Sequence, residues 1–414
     1  MKIGFYSPFM GSTFGGGEKY FGVAAEAVRD GFPEAEVEVL TPVPVDVDAY
    51  ERMLALDLHG ISFRSVYRER GGVKGRLNRI PILRRYRDLV VSLQAARLTQ
   101  AYDLLIAMVY VLPAFSRARR GVILCQFPYE LARPARHTGL MALVHRLYVL
   151  PALWLRQRML GREVDDFDRV ICQSQYVRTW VERLWHRDAL VVNPPIDVPD
   201  EPPDWPRKRN TILTVGRFFA GGHNKRHDLM VQAFRELCDS GLQDWELHVA
   251  GSVHSTTDAD IRYLDGVRQL ASGYPVFLHE DASRDEVMQL YREASIYWHS
   301  AGYGVDGESR PADLEHFGMT TVEAMAQGAV PVVIAQGGQL EVVVEGDTGY
   351  YWRHPDELKA RTLALTADAT LRRAMGERAR QASRRFSRAR FVDEMVNAIR
   401  PVVESLQLEE PART

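Results

Sequence analysis

The sequence predicts an α/β protein built from two doubly wound domains. Three observations carry this. Short apolar runs alternate with longer helix-periodic segments through the whole chain. A proline cluster interrupts that pattern once, after which it restarts. The 414 residues, 46% hydrophobic and 26% charged, are too many for one ordinary core and suit two domains of roughly 200 residues each.

Residues 2–6 read as the first strand, and residues 19–29 as a helix that follows a Gly-rich turn. Segments 36–40, 104–109, 121–125 and 170–173 are short apolar runs of the kind buried on both faces of a parallel sheet. Pro194, Pro195, Pro199, Pro202, Pro203 and Pro206 then place six of the chain's 21 prolines within 13 residues. Such a stretch can be neither helix nor central strand and reads as a stiff linker. Beyond it the expected order is strand 211–215, helix 228–239, strands 245–250 and 276–278, and helix 284–293. Strand 296–298, helix 321–326 and strand 330–334 follow, and the last stretch is helical and charged. The expected domains are 1–193 and 207–390, with 194–206 as linker and an interdomain cleft as the default ligand site.

Composition narrows the function classes. Cys125, Cys172 and Cys238 are scattered, fit no disulfide framework or zinc spacing, and suit a reduced compartment. The start MKIGFYSPF lacks the greasy core of a signal peptide. The charge-free run 324–340 is broken by Gly and Pro, whereas a membrane span needs about 20 mostly apolar residues. A cytoplasmic protein is expected, with peripheral attachment to the inner face of a membrane as a candidate.

The net charge of −2 conceals an asymmetry, because residues 1–200 carry 27 basic and 22 acidic side chains against 25 and 32 in the rest. Residues 64–87 hold nine basic side chains and one acid, and residues 131–162 hold six arginines and no acid. These stretches are either solvated faces or a surface for an anionic membrane or a phosphate-bearing acceptor. No nucleic-acid motif accompanies them, so nucleic acid is not an expected partner.

Three stretches carry chemistry. GGGE, residues 15–18, lies where the first strand gives way to a helix; it is either a tight turn or a place where backbone approaches an anion. It is neither GxGxxG nor a Walker loop. VGRFFAGGHNKRHD, residues 215–228, puts Arg217 and Lys225 around a Gly-rich loop at a strand end. Two fixed cations there suit a diphosphate, with exposed loop cations as the plainer alternative. EHFGMTTVEAMAQG, residues 315–328, places Glu315 on the loop entering a helix and Glu323 in its first turn, with Thr320 as N-cap. The amides of residues 318–321 would then form an anion site. The spelling TxxE also fits a capping box that needs no ligand for Glu323, though not for Glu315.

The stretch EHFGMTTVEAMAQGAVPVV resembles the donor-site signature of the family-4 retaining glycosyltransferases, E-x7-E with FG after the first Glu. GGGE, VGR with a downstream Lys, AGS at 250–252, GGQLEVV at 337–343 and GDTGYYW at 346–352 follow the family's order. The EHFG form is similar to that of mannosyltransferases that extend lipid-linked oligosaccharides. The resemblance implies the GT-B fold, two Rossmann-like domains facing across a cleft, with a C-terminal helix at 391–414 packing back on the N-terminal domain. It implies transfer of a sugar from a GDP- or UDP-sugar to a glycan, lipid-linked or small-molecule hydroxyl, with retention and without metal or other cofactor.

Carried onto this sequence, the resemblance gives Arg217 and Lys225 the diphosphate, with amides of Gly318, Met319 and Thr320. Glu323 takes the ribose, Glu315 the donor sugar, and Leu278, His279 and Glu280 the base. Gly16 and Gly17 approach the phosphates. Gln126 stands where many members carry a His facing the sugar, and His299 and Tyr303 are candidate sugar or acceptor contacts. The alternatives are a non-catalytic glycan- or partner-binding subunit of the same fold and a non-transferring nucleotide-sugar enzyme such as an epimerase. Intact donor-site residues and the E-x7-E spacing argue against these.

Overall fold

The computed structural model describes residues 1–8, 10, 15–66, 93, 96–110, 115–128, 143, 145–151, 154–155, 164–253 and 257–409. It divides into two compact units, Met1–Asn193 with Phe391–Thr414, and Pro194–Arg390.

The first unit runs β1 (Lys2–Tyr6), α1 (Gly16–Gly31), β2 (Glu36–Thr41), α2 (Val47–Leu54), β3 (Ser62–Ser65), β4 (Leu104–Tyr110), β5 (Arg120–Phe127), β6 (Arg169–Cys172), α3 (Gln175–Trp185) and β7 (Leu190–Val191). Its seven strands are parallel, in the order β3-β2-β1-β4-β5-β6-β7. The central strands are continuous apolar runs, IGFY and LLIAMV, because helices cover both of their faces. α1 begins at Gly16, three residues ahead of expectation, since Gly15 is its N-cap and Glu18 turns back onto the Gly15 N–H at 3.1 Å. Gly16 and Gly17 therefore lie in the first helical turn and not in a preceding loop.

The second unit repeats the plan with β8 (Thr211–Val215), α4 (His227–Asp239), β9 (Glu246–Gly251), α5 (Asp258–Ala271), β10 (Val276–Glu280), α6 (Arg284–Glu293) and β11 (Ile296–His299). α7 (Met319–Ala326), β12 (Val330–Ile334), α8 (Gln339–Val342), β13 (Tyr350–Trp352), α9 (Pro355–Ala367) and α10 (Ala369–Ser383) complete it. The parallel order is β10-β9-β8-β11-β12-β13. Strand order reverses between β8 and β11, and at such a switch point the loops leaving neighbouring strands diverge and open a crevice.

The proline-rich segment is no free tether. Ile196 is fully buried in the second unit; its N–H donates to the Phe386 carbonyl at 2.9 Å and its own carbonyl accepts from the Arg388 N–H at 3.0 Å. The Arg380 guanidinium donates to the carbonyls of Pro199, Asp200 and Glu201. Proline removes donors but leaves carbonyls to bind, so this stretch is fastened through them.

The last helix, α11 (Arg388–Glu409), adds Phe391, Met395, Ile399, Val402 and Leu406 to the core of the first unit. Their spacing puts them on one helix face. Phe391 meets Tyr20 edge to face, with ring centroids 5.1 Å apart. Burying each such side chain contributes roughly 1.5–3 kcal/mol, which is ample reason for a segment about 200 residues away in sequence to return.

Candidate functional site

The switch point of the second unit gathers the charged residues. β8 ends at Val215, and the loop that follows reaches α4 through Lys225 and Arg226. A Cβ on Gly216 would stand 2.4 Å from Lys225 Cγ, so only glycine lets the lysine stem lie across the strand end. Arg226 occupies the left-handed region at φ +53°. It is held there because its N–H donates to Asn224 Oδ1 at 2.6 Å and its guanidinium pairs with Asp228 at 3.1 Å and donates to the Tyr303 carbonyl at 3.1 Å. Asn224 thus shapes the turn that aims Lys225.

Glu315, on the loop leaving β11, meets that lysine. Lys225 Nζ donates to Glu315 Oε2, and His299 Nε2 donates to the same oxygen at 3.0 Å. Burial pushes the Glu315 carboxyl up, but the Lys225 ammonium and the His299 hydrogen bond outweigh it and hold the group well below the usual carboxylate range. Burial holds His299 below its ordinary value despite the carboxylate beside it. The site therefore presents an ammonium, a carboxylate and a neutral imidazole.

Three more histidines surround the pair. His223 and His316 pack edge to face at 4.5 Å, and His227 packs on Phe218 at 4.8 Å. Burial lowers His223 to about 4 and His227 to about 3, and holds His316 well below its usual value. Neither ring nitrogen of His227 has a partner among the described residues.

α7 starts earlier than its sequence suggests. Its N-cap is Gly318 at φ +107°, a conformation glycine adopts cheaply, so Thr320 and Glu323 form no capping box. Thr320 Oγ1 instead accepts from the Tyr297 hydroxyl at 2.7 Å, and the Glu323 carboxylate accepts from the Tyr291 hydroxyl at 3.0 Å. Glu323 lies in the second turn, not the first. The Thr321 N–H turns back to the Gly318 carbonyl at 3.0 Å, while the amides of Met319 and Thr320 sit in the first turn, where a helix has no carbonyl to offer them.

The loop after β12 closes against this start. The Gly338 N–H donates to the Glu315 carbonyl at 2.8 Å, and a Cβ on Gly337 would lie 2.3 Å from that oxygen. Gln339 is fully buried, and both polar atoms of its amide lack partners among the described residues. Its Nε2 lies 2.5 Å from where a Gly318 Cβ would be, so an unsatisfied amide faces the helix start. Such a group signals a missing polar partner.

The remaining expected residues are dispersed. Arg217 is exposed over the Phe219 ring at 5.9 Å and makes no ion pair among the described residues. Tyr303 packs on Trp352 at 5.5 Å. In β10, Leu278 packs against the core, His279 stacks on His248 with ring nitrogens 2.9 Å apart, and Glu280 accepts from Arg268 at 2.8 Å. In the first unit, a Cβ on Gly17 would be 3.9 Å from Gln126 Oε1, and Gln126 Nε2 is buried without a partner among the described residues. His299 is 2% exposed and its Nε2 is bound to Glu315. The spacing of the sequence gives no role to Tyr291 in α6, Tyr297 in β11, Ser300 just past its end, or to the side chains of Asn224 and Gln339. Among the described residues, no three His, Cys, Asp or Glu side chains converge as metal ligands would.

Of the two basic stretches, residues 67–87 and most of 131–162 lie outside the described residues. The described part of the second is helical and leaves Leu143, Leu147, Leu150 and Trp154 exposed.

Residues 198–382 match the family model described as "Glycosyl transferases group 1". The chain is 28% identical over 290 residues to the GDP-Man:Man(3)GlcNAc(2)-PP-Dol alpha-1,2-mannosyltransferase of Neurospora crassa, over 61% of this chain and 48% of that one. It is 33% identical to an uncharacterized glycosyltransferase of Methanocaldococcus jannaschii, over 62% of this chain and 66% of the other. The chain thus spans about half the length of the first relative. Among solved structures, sucrose-phosphate synthase of Thermosynechococcus elongatus superposes with a TM-score of 0.67 at 17% identity, covering 98% of this chain and 100% of that one. At that identity the likeness shows the fold, which is GT-B with two Rossmann-like α/β domains.

Proposed function

We propose that this protein is a retaining, metal-independent glycosyltransferase that takes a sugar from a nucleoside-diphosphate sugar and passes it to a hydroxyl of a lipid-linked glycan. GDP-mannose is the first donor to test, since it is named for the Neurospora relative. One observation carries the reading: the Lys225–Glu315–His299 group stands at the switch point of the second unit, with Glu315 three residues ahead of Gly318, the N-cap of α7.

Departure of a nucleoside diphosphate builds negative charge on the β-phosphate, and fixed cations and aimed amides stabilise that charge without reorganising. Lys225 and Arg217 supply the cations, and Gly318, Met319 and Thr320 supply the amides. Gln339 offers one more donor at the helix start. Glu323 takes the ribose hydroxyls, and Glu315 orients the donor sugar. Leu278, His279 and Glu280 lie by the base; Tyr303 is a sugar or acceptor contact. On the first unit we assign Gly16 and Gly17 to the phosphates and Gln126 to the acceptor side. The sugar–phosphate C–O bond breaks, the acceptor oxygen bonds to the anomeric carbon on the same face, and its proton passes to the departing phosphate oxygen. No protein nucleophile is then required.

A lipid-linked acceptor requires a membrane surface, and Leu143, Leu147, Leu150 and Trp154 expose an apolar stripe at helical spacing within an arginine-only stretch. No described helix is long and apolar enough to cross a membrane; the exposed apolar stripe is what supports a peripheral placement, for which we take the cytoplasmic face. The test is transfer from GDP-mannose and from UDP-glucose to a lipid-linked oligosaccharide, with and without EDTA, reading the anomer by NMR. A retained anomer formed in EDTA supports the reading. An inverted product, or loss in EDTA that manganese restores, would sink the corresponding part.

A further inference from the structure

His299 and Ser300 are adjacent at the C-terminal end of β11, and each holds one member of the Lys225–Glu315 pair. The His299 Nε2 proton goes to Glu315 Oε2 at 3.0 Å, and the Ser300 hydroxyl donates to the Lys225 main-chain carbonyl at 2.8 Å. The strand end is itself fixed from behind, because the Trp352 indole N–H on β13 donates to the His299 carbonyl at 3.1 Å. Within the sheet, β11 lies between β8 and β12. The dipeptide therefore ties the loop before α4 and the loop before α7 to one rigid point.

We propose that His299 and Ser300 act together as the positioning element of the site, His299 setting the direction of the Glu315 carboxylate and Ser300 the reach of the Lys225 ammonium. His299 is too deeply buried to meet a ligand, at 2% exposed, so whatever it does for the reaction passes through Glu315. Without its hydrogen bond the carboxylate keeps the ammonium as partner and swings toward it, away from the donor sugar. The Ser300 bond fixes main chain, so its loss shifts the ammonium itself. The two halves of the element thus control different parts of one ligand: His299 the sugar, Ser300 the diphosphate.

The inference rests on the donor-site reading above, and the test separates the two. Binding of GDP-mannose, GDP, UDP-glucose and UDP to the full chain is measured by calorimetry for wild type, His299→Leu, His299→Gln, Ser300→Ala, Ser300→Thr and Glu315→Gln, beside thermal unfolding of each. With whichever sugar nucleotide binds wild type, His299→Leu is expected to weaken it roughly 10- to 100-fold, the worth of a hydrogen bond to a charged group, and to leave the parent diphosphate unchanged. His299→Gln, which keeps an N–H donor near the Nε2 position, should recover most of that loss. Ser300→Ala should weaken sugar nucleotide and diphosphate alike, and Ser300→Thr should restore both. If His299→Leu binds like wild type while Glu315→Gln loses the sugar preference, the positioning role falls and the donor site stands. Equal weakening of diphosphate and sugar nucleotide by both His299 variants, with a matching loss of folding, would make the residue structural only and overturn the proposal. If wild type binds none of the four compounds, the donor-site reading itself fails, and the inference with it.

Discussion

Removing the ammonium from the site separates its structural worth from its chemical worth. In Lys225→Ala the Glu315 carboxylate remains in place, 15% exposed, with His299 as its remaining partner. Stripping one partner from a fully buried pair costs about 3–5 kcal/mol, and the partial exposure here brings the expectation down to about 2–3 kcal/mol. For a unit of this size that corresponds to a fall of roughly 4–12 °C in the unfolding midpoint. The double variant Lys225→Met with Glu315→Gln leaves no lone charge and should return to within about 1 kcal/mol of wild type. Both proteins should transfer sugar at least about 100- to 1000-fold more slowly than wild type, the cost of removing one group that stabilises the departing charge.

Acid provides an internal control on this reasoning. In wild type the Glu315 carboxyl is held below its ordinary value of about 4.3. Its contribution is therefore complete above that pH and is lost as pH falls below it. In Lys225→Ala the largest lowering influence is gone while burial still pushes the carboxyl up, so the stability gap between the two proteins should narrow on acidification. The assay is calorimetric unfolding at a series of pH values. A single variant that melts at the wild-type midpoint, or a gap that widens toward acid, would refute a desolvated charge pair. A double variant as unstable as the single one would assign the cost to lost packing instead.

Other substitutions test separate links. His227→Phe should stabilise the protein and flatten its acid slope, because a histidine neutral in the fold down to about 3 makes stability fall as pH drops below about 6.5; an unchanged slope in urea titrations would contradict this. Gly318→Ala should cost about 1–2 kcal/mol from its φ of +107°, more if Gln339 cannot yield to the new Cβ, and should reduce transfer; wild-type kinetics would remove α7 from the site. Phe391→Ala should destabilise the first unit by about 3–5 kcal/mol, read from the denaturant midpoint, and a neutral result would mean that the last helix adds little to that core.

Periodicity alone disclosed the two parallel sheets. Runs such as TILTV and VPVVI are mostly apolar and buried on both faces, and that is legible wherever helices cover a strand twice. The short edge strands β3 and β7 escaped notice, since SFRS and LV carry too few residues to show a period. Glu315 could be singled out because no local motif explained it. Glu323 could not be read correctly from its neighbours. TxxE satisfies a local rule, but Gly318 starts the helix sooner and Tyr291, 32 residues away, supplies the actual partner. His299 is a candidate contact by sequence because it flanks the long loop before Glu315; that its ring turns to Glu315 is a long-range fact no spacing encodes.

The central claim is that the second unit holds a nucleoside-diphosphate sugar through Lys225 and the start of α7. The most direct measurement is the thermal midpoint of the 414-residue chain with GDP-mannose and, separately, UDP-glucose, for wild type and Lys225→Ala. Ligand that binds the native state at 100 times its Kd adds about 2.7 kcal/mol of stability. One of the two compounds should therefore raise the wild-type midpoint by several degrees and leave Lys225→Ala at its unliganded value. An unmoved midpoint for wild type with both compounds, or the same upward shift in both proteins, would contradict the claim.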